Sequence, residues 1–260
     1  MAGQVPRPGW AAVHEAAVAL VDEAAGRGHL LRLVGSTGIR LHCPPAAAAL
    51  DRLGRPAKDI DVVCRHEDRK GLRRLLEERG WESDRDLLVA MEGRRFSFRH
   101  PGSGLELDVF VDRLEFCHTI ELRDRLGARA LTLPVEDLLL QKLQIVRQTV
   151  TDRMDAAALL ATHPVAPGPA PEEGAGEAID AGYVAALLAR DWGFHHTATA
   201  NLAALGEPAA GNGAATVAER AGALLAAIEA APKSVRWRTR ARVGERMQWW
   251  QDVDDREAVY

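Results

Sequence analysis

The sequence contains no long apolar run and few cysteines. No stretch approaches the roughly 18 apolar residues that cross a bilayer, so we expect no membrane partner. The start, MAGQVPRPGW, lacks the basic-then-apolar order of a signal peptide, and we therefore expect a cytoplasmic protein. The three cysteines, Cys43, Cys64 and Cys117, match no zinc spacing and cannot all pair with one another. They are interpreted as reduced, mostly buried thiols.

A strong excess of charge of one sign is also missing. The 33 basic and 37 acidic residues leave a formal charge of -4 on 260 residues. This balance gives no overall attraction to nucleic acid, so binding of a polyanion would need a local basic patch. The apolar fraction of 47% and the charged fraction of 27% are ordinary for a globular protein. They exclude disorder, collagen and coiled coil as the main class.

The first half of the chain alternates between helical and extended patterns. Apolar residues at helical spacing predict a helix from Trp10 to Ala25, and LLRLVGSTG predicts a strand that ends in a glycine-rich turn. DIDVVC predicts a short strand, and HEDRKGLRRLLEERGWES predicts an amphipathic helix that stops at Gly80. Residues 86–114 predict three strands, with PGSG as a hairpin tip. This order predicts an α+β fold, in which helices pack against a small mixed β-sheet.

The second half has a different composition. Two helices are predicted, from about Pro134 to about Gln148 and from about Thr151 to about Thr162. Residues 164–178 are dense in proline, glycine and alanine, which is typical of a linker. We therefore predict a first domain at 1–163, a linker at 164–178 and an all-helical C-terminal domain at 179–260, which would form the other wall of a cleft.

Two acidic patterns carry the chemistry. In KDIDVV, strand alternation sends Asp59 and Asp61 to one face, where their like charges repel unless a cation lies between them. In LELDVFVD a second strand carries alternating acids, and Asp108 approaches the first pair if the strands are neighbours; Asp112 is its rival. Three carboxylates suit Mg²⁺ or Mn²⁺ and transfer of a phosphoryl group. The alternative is a strand with a solvated polar face.

The VGSTG segment offers a phosphate contact. Gly35 would let backbone N–H groups approach a phosphate, and the hydroxyls of Ser36 and Thr37 would donate to its oxygens at the start of the next helix. The pattern leaves open which of the two hydroxyls faces the phosphate.

The order of these motifs resembles the nucleotidyltransferase (polymerase-β-like) superfamily. PVEDLLLQKLQIVRQ followed by TDRMDAAALL is similar to segments of the AbiEii/MenT group of nucleotidyltransferase-like toxins, and the resemblance covers about residues 30 to 163. It implies that Ser36 contacts the triphosphate, that Asp59 and Asp61 hold metal, and that Lys142 meets phosphate charge. It also implies that Asp152 or Asp155 completes the nucleotide pocket.

Structural alternatives stand beside these roles. Lys142 lies among leucines and is also consistent with a lysine whose stem is buried and whose amine reaches solvent. Thr151 and Asp152 are also consistent with an N-cap and a first-turn acid. The segment KSVRWRTRARVGERMQWW would bind an RNA backbone, or form an amphipathic helix with its tryptophans in a core.

The resemblance predicts an enzyme that moves a nucleoside monophosphate from an NTP to an acceptor hydroxyl or phosphate. Its toxin-like part favours an RNA or tRNA end as the acceptor, and a cognate antitoxin as a partner. A small hydroxylated metabolite or an antibiotic is the alternative acceptor. A third hypothesis is a non-catalytic nucleotide-binding or protein-binding member of a toxin–antitoxin pair.

Overall fold

The computed structural model describes residues 9–44, 59–84, 93–169, 177–206 and 213–252. The chain forms two compact units, the first made of residues 1–114 and 121–134 and the second of residues 115–120 and 135–260. The fold is α+β, as the sequence predicts. The two helices predicted from about Pro134 and from about Thr151 begin at Val135 and Val150, and both belong to the second unit. The domain boundary at residue 163 stays a prediction.

The first unit contains a five-stranded mixed sheet. Its strands are β1 (Leu31–Val34), β2 (Asp59–Cys64), β3 (Glu82–Ser83), β4 (Arg95–Arg99) and β5 (Glu106–Val111), in the spatial order β1-β2-β5-β4-β3. Its helices are α1 (Trp10–Gly26), α2 (Gly35–His42) and α3 (Arg69–Glu78). The strands β2 and β5 run parallel, and the other neighbouring strands run antiparallel. The strand predicted around residues 86–92 and the connection at 45–58 lie outside the described residues.

The apolar face of the sheet explains its stability. Alternation along β2 places Ile60, Val62 and Cys64 in the core, where they pack with apolar side chains of α1 and α3. Complete burial of a valine or leucine side chain contributes roughly 1.5–3 kcal/mol. Asp59 and Asp61 point away from this core because they alternate with its residues. One face of β2 therefore holds the fold together while the other carries carboxylates.

The segment after β1 differs from its prediction. The sequence predicts a glycine-rich turn at VGSTG, but helix α2 begins directly at Gly35. Gly35 has a φ of +61°, in the left-handed region that glycine adopts at little cost. This single residue turns the chain from strand to helix, so no separate loop is needed. Ser36 and Thr37 consequently lie in the first turn of α2.

The second unit is mostly helical within the described residues. Its helices are α4 (Val135–Leu143), α5 (Val150–Thr162), α6 (Ala181–Leu188), α7 (Trp192–Leu205), α8 (Ala214–Ala230) and α9 (Val235–Val243), and a 3₁₀ turn follows at Gly244–Arg246. Two short strands, β6 (Arg113–Glu115) and β7 (Thr119–Glu121), each include residues of both units. The second unit also contains β8 (Val165–Ala166) and β9 (Ile179–Asp180), so the C-terminal region predicted at 179–260 begins with two strand residues. Residues 170–176 of the predicted linker lie outside the described residues.

Local chemistry sets the helix ends of this unit. Asp180, Asp191 and Ser234 each accept a hydrogen bond from the backbone N–H three residues later, which caps α6, α7 and α9. Helix α4 ends at Leu143 and not at the predicted Gln148. Its last carbonyls accept hydrogen bonds from side chains, because the Gln148 amide donates to Lys142 O and the Asn201 amide donates to Leu143 O. These bonds replace the next turn of helix.

All three cysteines are buried, as predicted. None of the helices in the described ranges has both the length and the apolar composition that a membrane span requires.

Candidate functional site

The three predicted acids of the first unit lie together. The parallel strands β2 and β5 are in register, with Asp61 beside Asp108 and Asp59 beside Glu106. One carboxylate oxygen each from Asp59, Asp61 and Asp108 lies within 4.8 Å of the other two. The expectation that these acids converge is confirmed, and their chemical roles stay predictions. We call this group the acidic triad.

The triad fits a divalent cation by its donor chemistry. It offers only carboxylate oxygens, and each of the three residues is partly exposed, so an ion from solvent has access. Oxygen donors of this kind suit Mg²⁺ and Mn²⁺, whereas zinc sites in proteins more often use nitrogen and sulfur. Three carboxylates this close also repel one another, which a cation would relieve. These residues are therefore suited to hold Mg²⁺ or Mn²⁺.

Strand β4 supplies two partners of Asp108 that sequence reasoning missed. Arg95 Nη2 lies 2.9 Å from Asp108 Oδ2, and the Ser97 hydroxyl donates to Asp108 Oδ1. Ser97 is directly opposite Asp108 in the antiparallel pair, and the Arg95 guanidinium also lies over the ring of Phe110. The sequence does contain a signal for them, because Arg95 and Ser97 alternate with phenylalanines in RFSFR and therefore share one face of β4. Arg95 offsets part of the negative charge of the three acids.

Gly35 packs directly against the triad. A Cβ atom at Gly35 would lie 2.1 Å from Asp61 Oδ2 and 2.9 Å from Asp61 Cγ. Any side chain at position 35 would therefore collide with the carboxylate of Asp61. The sequence pattern predicts close approach of a phosphate at Gly35, and the structure shows close approach of an acid. The positive φ and the missing Cβ are both required here.

The two hydroxyls after Gly35 have different surroundings. Thr37 is buried, and its hydroxyl donates to the main-chain carbonyl of Asp59 at 3.4 Å, which connects α2 to β2. Ser36 is only half-buried. Of the two residues, Ser36 is the more accessible to a ligand. Its contact with a phosphate stays a prediction.

Asp112, the rival of Asp108, has other partners. It follows β5 with a φ of +60°, and its carboxylate accepts hydrogen bonds from Arg123 Nη1 at 3.1 and 3.2 Å. The backbone N–H of His66 also donates to it at 3.1 Å. Asp112 is not a member of the acidic triad.

In the second unit, Lys142 is ion-paired with both predicted nucleotide-pocket acids. Its Nζ lies 3.0 Å from Asp152 Oδ1 and 3.1 Å from Asp155 Oδ2. Burial opposes the charged amine, but the charges of Asp155 and Asp152 outweigh burial, so the pKa of Lys142 is raised. Burial likewise opposes the Asp152 carboxylate, but the charge of Lys142 and a hydrogen bond from Thr149 outweigh it and lower its pKa. Asp155 is fully buried.

Asp152 also has a structural role at the start of α5. Thr149 is the N-cap, where the sequence offered Thr151 as an alternative, and its hydroxyl accepts a hydrogen bond from Asp152 N at 3.1 Å. Asp152 Oδ2 accepts in return from Thr149 N at 3.1 Å, which completes a capping box. Lys142, which is predicted to contact a nucleotide, thus pairs with Asp152 and Asp155, which carry the same prediction. Contact with a nucleotide stays a prediction.

The basic segment near the C-terminus is exposed. No residue of α9 is buried, and the side chains of Arg236, Arg238 and Arg242 are exposed to solvent. Trp237 is half-buried, with its ring 5.1 Å from that of His195. The segment is thus neither an amphipathic helix with buried tryptophans nor a set of fully exposed rings.

Two histidines of the second unit, His118 and His196, serve as packing residues. His118 is buried, its Nε2 is 2.9 Å from the hydroxyl of Thr197, and its ring stacks on Phe194 at 5.0 Å. Burial lowers the pKa of His118 to about 4. His196 stacks on Trp192 at 5.0 Å. His118 is thus a hydrogen-bonded core residue.

Comparison with known proteins finds weak structural similarity. Neither a family model nor a curated protein matches the sequence. Among solved structures, the chain is similar to the antibiotic-resistance factor ANT(2'')-Ia, at 14% identity and a TM-score of 0.39 over 57% of this chain and 83% of that one. It is also similar to an antigenic nucleotidyltransferase-like protein from Paracoccidioides brasiliensis, at 15% identity and a TM-score of 0.41 over 85% and 94%. Likeness at this level carries no argument about function, which rests on the site itself.

Proposed function

We propose that this chain is a nucleotidyltransferase of the polymerase-β-like superfamily. It would move a nucleoside monophosphate from an NTP to an acceptor hydroxyl or phosphate, and pyrophosphate would leave. The observation that supports this proposal is the convergence of Asp59, Asp61 and Asp108 on adjacent parallel strands, packed against the glycine that opens α2. A solvated polar face does not require three acids on two strands to lie within 4.8 Å, nor a glycine against one of them.

Each residue of the site has a proposed task. Asp59, Asp61 and Asp108 would hold Mg²⁺ or Mn²⁺, which supplies Lewis-acid stabilisation of the phosphate charge when it is bound. Ser36 would donate to phosphate oxygens in the first turn of α2, where backbone N–H groups and the helix dipole favour an anion. Asp108 would also orient the acceptor hydroxyl for in-line attack on the phosphorus atom. The roles that the sequence resemblance implies for Lys142, Asp152 and Asp155, which all lie in the second unit, stay predictions.

The proposed acceptor is an RNA end. The support is the exposed basic surface of α9 and the residues after it, which combines Arg236, Arg238, Arg242 and Arg246 near the C-terminus. Arg238 and Arg242 are four residues apart and share one face of α9, so both can reach phosphates of the same RNA backbone. A small hydroxylated metabolite or an antibiotic would not need them. The finer grouping with AbiEii/MenT-type toxins, a cognate antitoxin and a cytoplasmic location form part of the same proposal, and they rest on the sequence resemblance.

The experiment that tests the activity uses each of four α-labelled NTPs with Mg²⁺ and total cellular RNA. We expect label to enter RNA with the wild-type protein. The Asp61→Asn variant should lose transfer, because a neutral amide removes one of the three charges that hold the ion. Asp22→Asn, at an exposed position of α1, is the matched control and should retain transfer. Equal transfer by the two variants would contradict the proposed site.

A salt series tests the acceptor. Transfer to RNA should fall steeply as salt rises, because each phosphate contact releases counterions. Replacing Arg238 by glutamine should reduce the slope of log affinity against log salt by about 1. Label that enters a small hydroxylated compound, with no dependence on Arg238, would instead support the metabolite acceptor. Nucleotide binding without any transfer would favour the non-catalytic hypothesis.

A further inference from the structure

A second charged site lies in the first unit, in a cavity outside the acidic triad. The cavity has a volume of about 290 Å³ and lies between the segment that leads into β1 and the segment that follows β2. Its lining includes His29, Arg32, Arg65, Glu67 and Asp68. This volume is at the small end of ligand pockets.

Arg32 is a buried cation that has no counter-ion among the described residues. Only 9% of the residue is exposed, and its Nη1 donates to the adjacent carbonyl of Leu31 at 2.7 Å. Its Nε is buried and has no hydrogen-bond partner within the same described ranges. Burial lowers the pKa of Arg32, and the nearby charge of Arg65 lowers it further. A buried guanidinium beside a second cation is costly unless an anion compensates it.

The two acids that line the cavity have partners other than Arg32 and Arg65. Asp68 lies 3.3 Å from the Nδ1 atom of His29 and accepts from the backbone N–H of Leu30 at 3.1 Å. Both Glu67 oxygens lie 2.9 Å from Arg123 Nη2. Within the described part of the chain, neither Arg32 nor Arg65 forms an ion pair. The charge of Arg65 helps to lower the pKa of Glu67, after a backbone hydrogen bond and the bond from Arg123, but neither arginine is ion-paired among the described residues.

We propose that this cavity binds a phosphate group, either as inorganic phosphate or as the phosphate of a small monoester. Two guanidinium groups match a phosphate in charge, since a phosphate monoester carries roughly -1.5 to -2 at neutral pH, whereas a carboxylate carries only a single charge. Guanidinium groups also bind phosphate oxygens in a bidentate manner. The site is separate from the acidic triad and does not depend on the proposed transfer reaction.

The test measures inorganic phosphate binding to the full-length protein, in a chelator and at constant ionic strength, by calorimetry and thermal melting. We expect phosphate to raise the melting temperature of the wild-type protein and acetate to do so much less. Arg32→Met and Arg65→Gln should each weaken phosphate binding by about tenfold or more, the value of one lost charged hydrogen bond. If Arg32→Met fails to fold, Arg65→Gln carries the test, because Arg65 is only half-buried.

Two matched variants show whether binding belongs to this cavity. Arg73→Gln removes an exposed arginine of α3 that pairs with Glu77, and it should bind phosphate as the wild type does. Asp61→Asn should also bind phosphate normally, even though it disables the acidic triad. The proposal is overturned by absence of phosphate binding in the wild type, by equal stabilisation with acetate, or by normal binding in both Arg32→Met and Arg65→Gln.

Discussion

Replacing Gly35 by alanine tests whether the close contact between Gly35 and Asp61 positions the acidic triad. The new Cβ would lie 2.1 Å from Asp61 Oδ2, so the carboxylate has to move by about 1 Å or more to reach ordinary contact. A misplacement of about 1 Å costs roughly 100-fold in rate when it affects groups that position a reaction. We therefore expect Gly35→Ala to lower nucleotidyl transfer by about 100-fold and to weaken Mn²⁺ binding.

The same substitution has a smaller effect on stability. The φ of Gly35 is +61°, and a non-glycine residue there costs about 1–2 kcal/mol. Urea unfolding should show this decrease in the free energy of unfolding. A decrease of this size leaves most of the protein folded in the absence of denaturant. Transfer and Mn²⁺ affinity can then be measured on folded protein, and calorimetry with Mn²⁺ separates a lost metal site from a slow reaction.

Gly26→Ala is the matched control. Gly26 is the last residue of α1, and a Cβ there meets nothing within 4 Å. This variant should keep the Mn²⁺ affinity and the transfer rate of the wild type. If Gly35→Ala folds and also keeps both, then the close contact between Gly35 and Asp61 does not position the triad, and the steric reasoning is wrong.

Three further predictions concern charge. Lys142→Met should lower the free energy of unfolding by about 3–5 kcal/mol in urea, because it leaves the fully buried Asp155 without its cation. Acidification from pH 6.5 to about 4 should favour unfolding, since the unfolded chain takes up a proton that folded His118 does not. His118→Gln should reduce that dependence, which amounts to at most about 1.4 kcal/mol per pH unit. Arg95→Met should increase the rise in melting temperature that Mg²⁺ produces, because Asp108 loses its cationic neighbour.

Each of these variants has an exposed counterpart in the first unit. Lys70→Met and His14→Gln change exposed residues of α3 and α1, and Arg99→Met removes an exposed arginine of β4. Surface changes of this kind usually stay within about 0.5 kcal/mol. Lys70→Met is the control for Lys142→Met, His14→Gln for His118→Gln, and Arg99→Met for Arg95→Met. If a control gives the same effect as its test variant, the effect does not come from the buried contact.

The sequence was sufficient to predict the acidic side of the site because alternation is a local property. Asp59 and Asp61 share a face in any strand, and Asp108 shares a face with its own alternating neighbours. The register that places Asp61 beside Asp108 is a long-range property of the parallel pair. It depends on packing of the whole sheet, so the motif could only suggest it.

Other features depend on contacts that sequence patterns do not record. The glycine-rich pattern suggests a phosphate against Gly35, whereas the structure shows the side chain of Asp61, 26 positions later, against it. The predicted end of α4 is too late, because the bond from Asn201 that satisfies the Leu143 carbonyl comes from a distant helix. The alternative in which Thr151 caps α5 is wrong, since Thr149 is the cap. Threonine at either position suits an N-cap, so the sequence does not distinguish the two.

The central claim is that Asp59, Asp61 and Asp108 together hold a divalent cation. The most direct measurement is a titration of the purified protein with Mn²⁺, followed by electron paramagnetic resonance and repeated with Mg²⁺ as competitor. We predict saturable Mn²⁺ binding that Mg²⁺ displaces, that Asp61→Asn loses and that Asp22→Asn keeps. Mn²⁺ binding of equal strength in both variants, or none in the wild type, would contradict the claim.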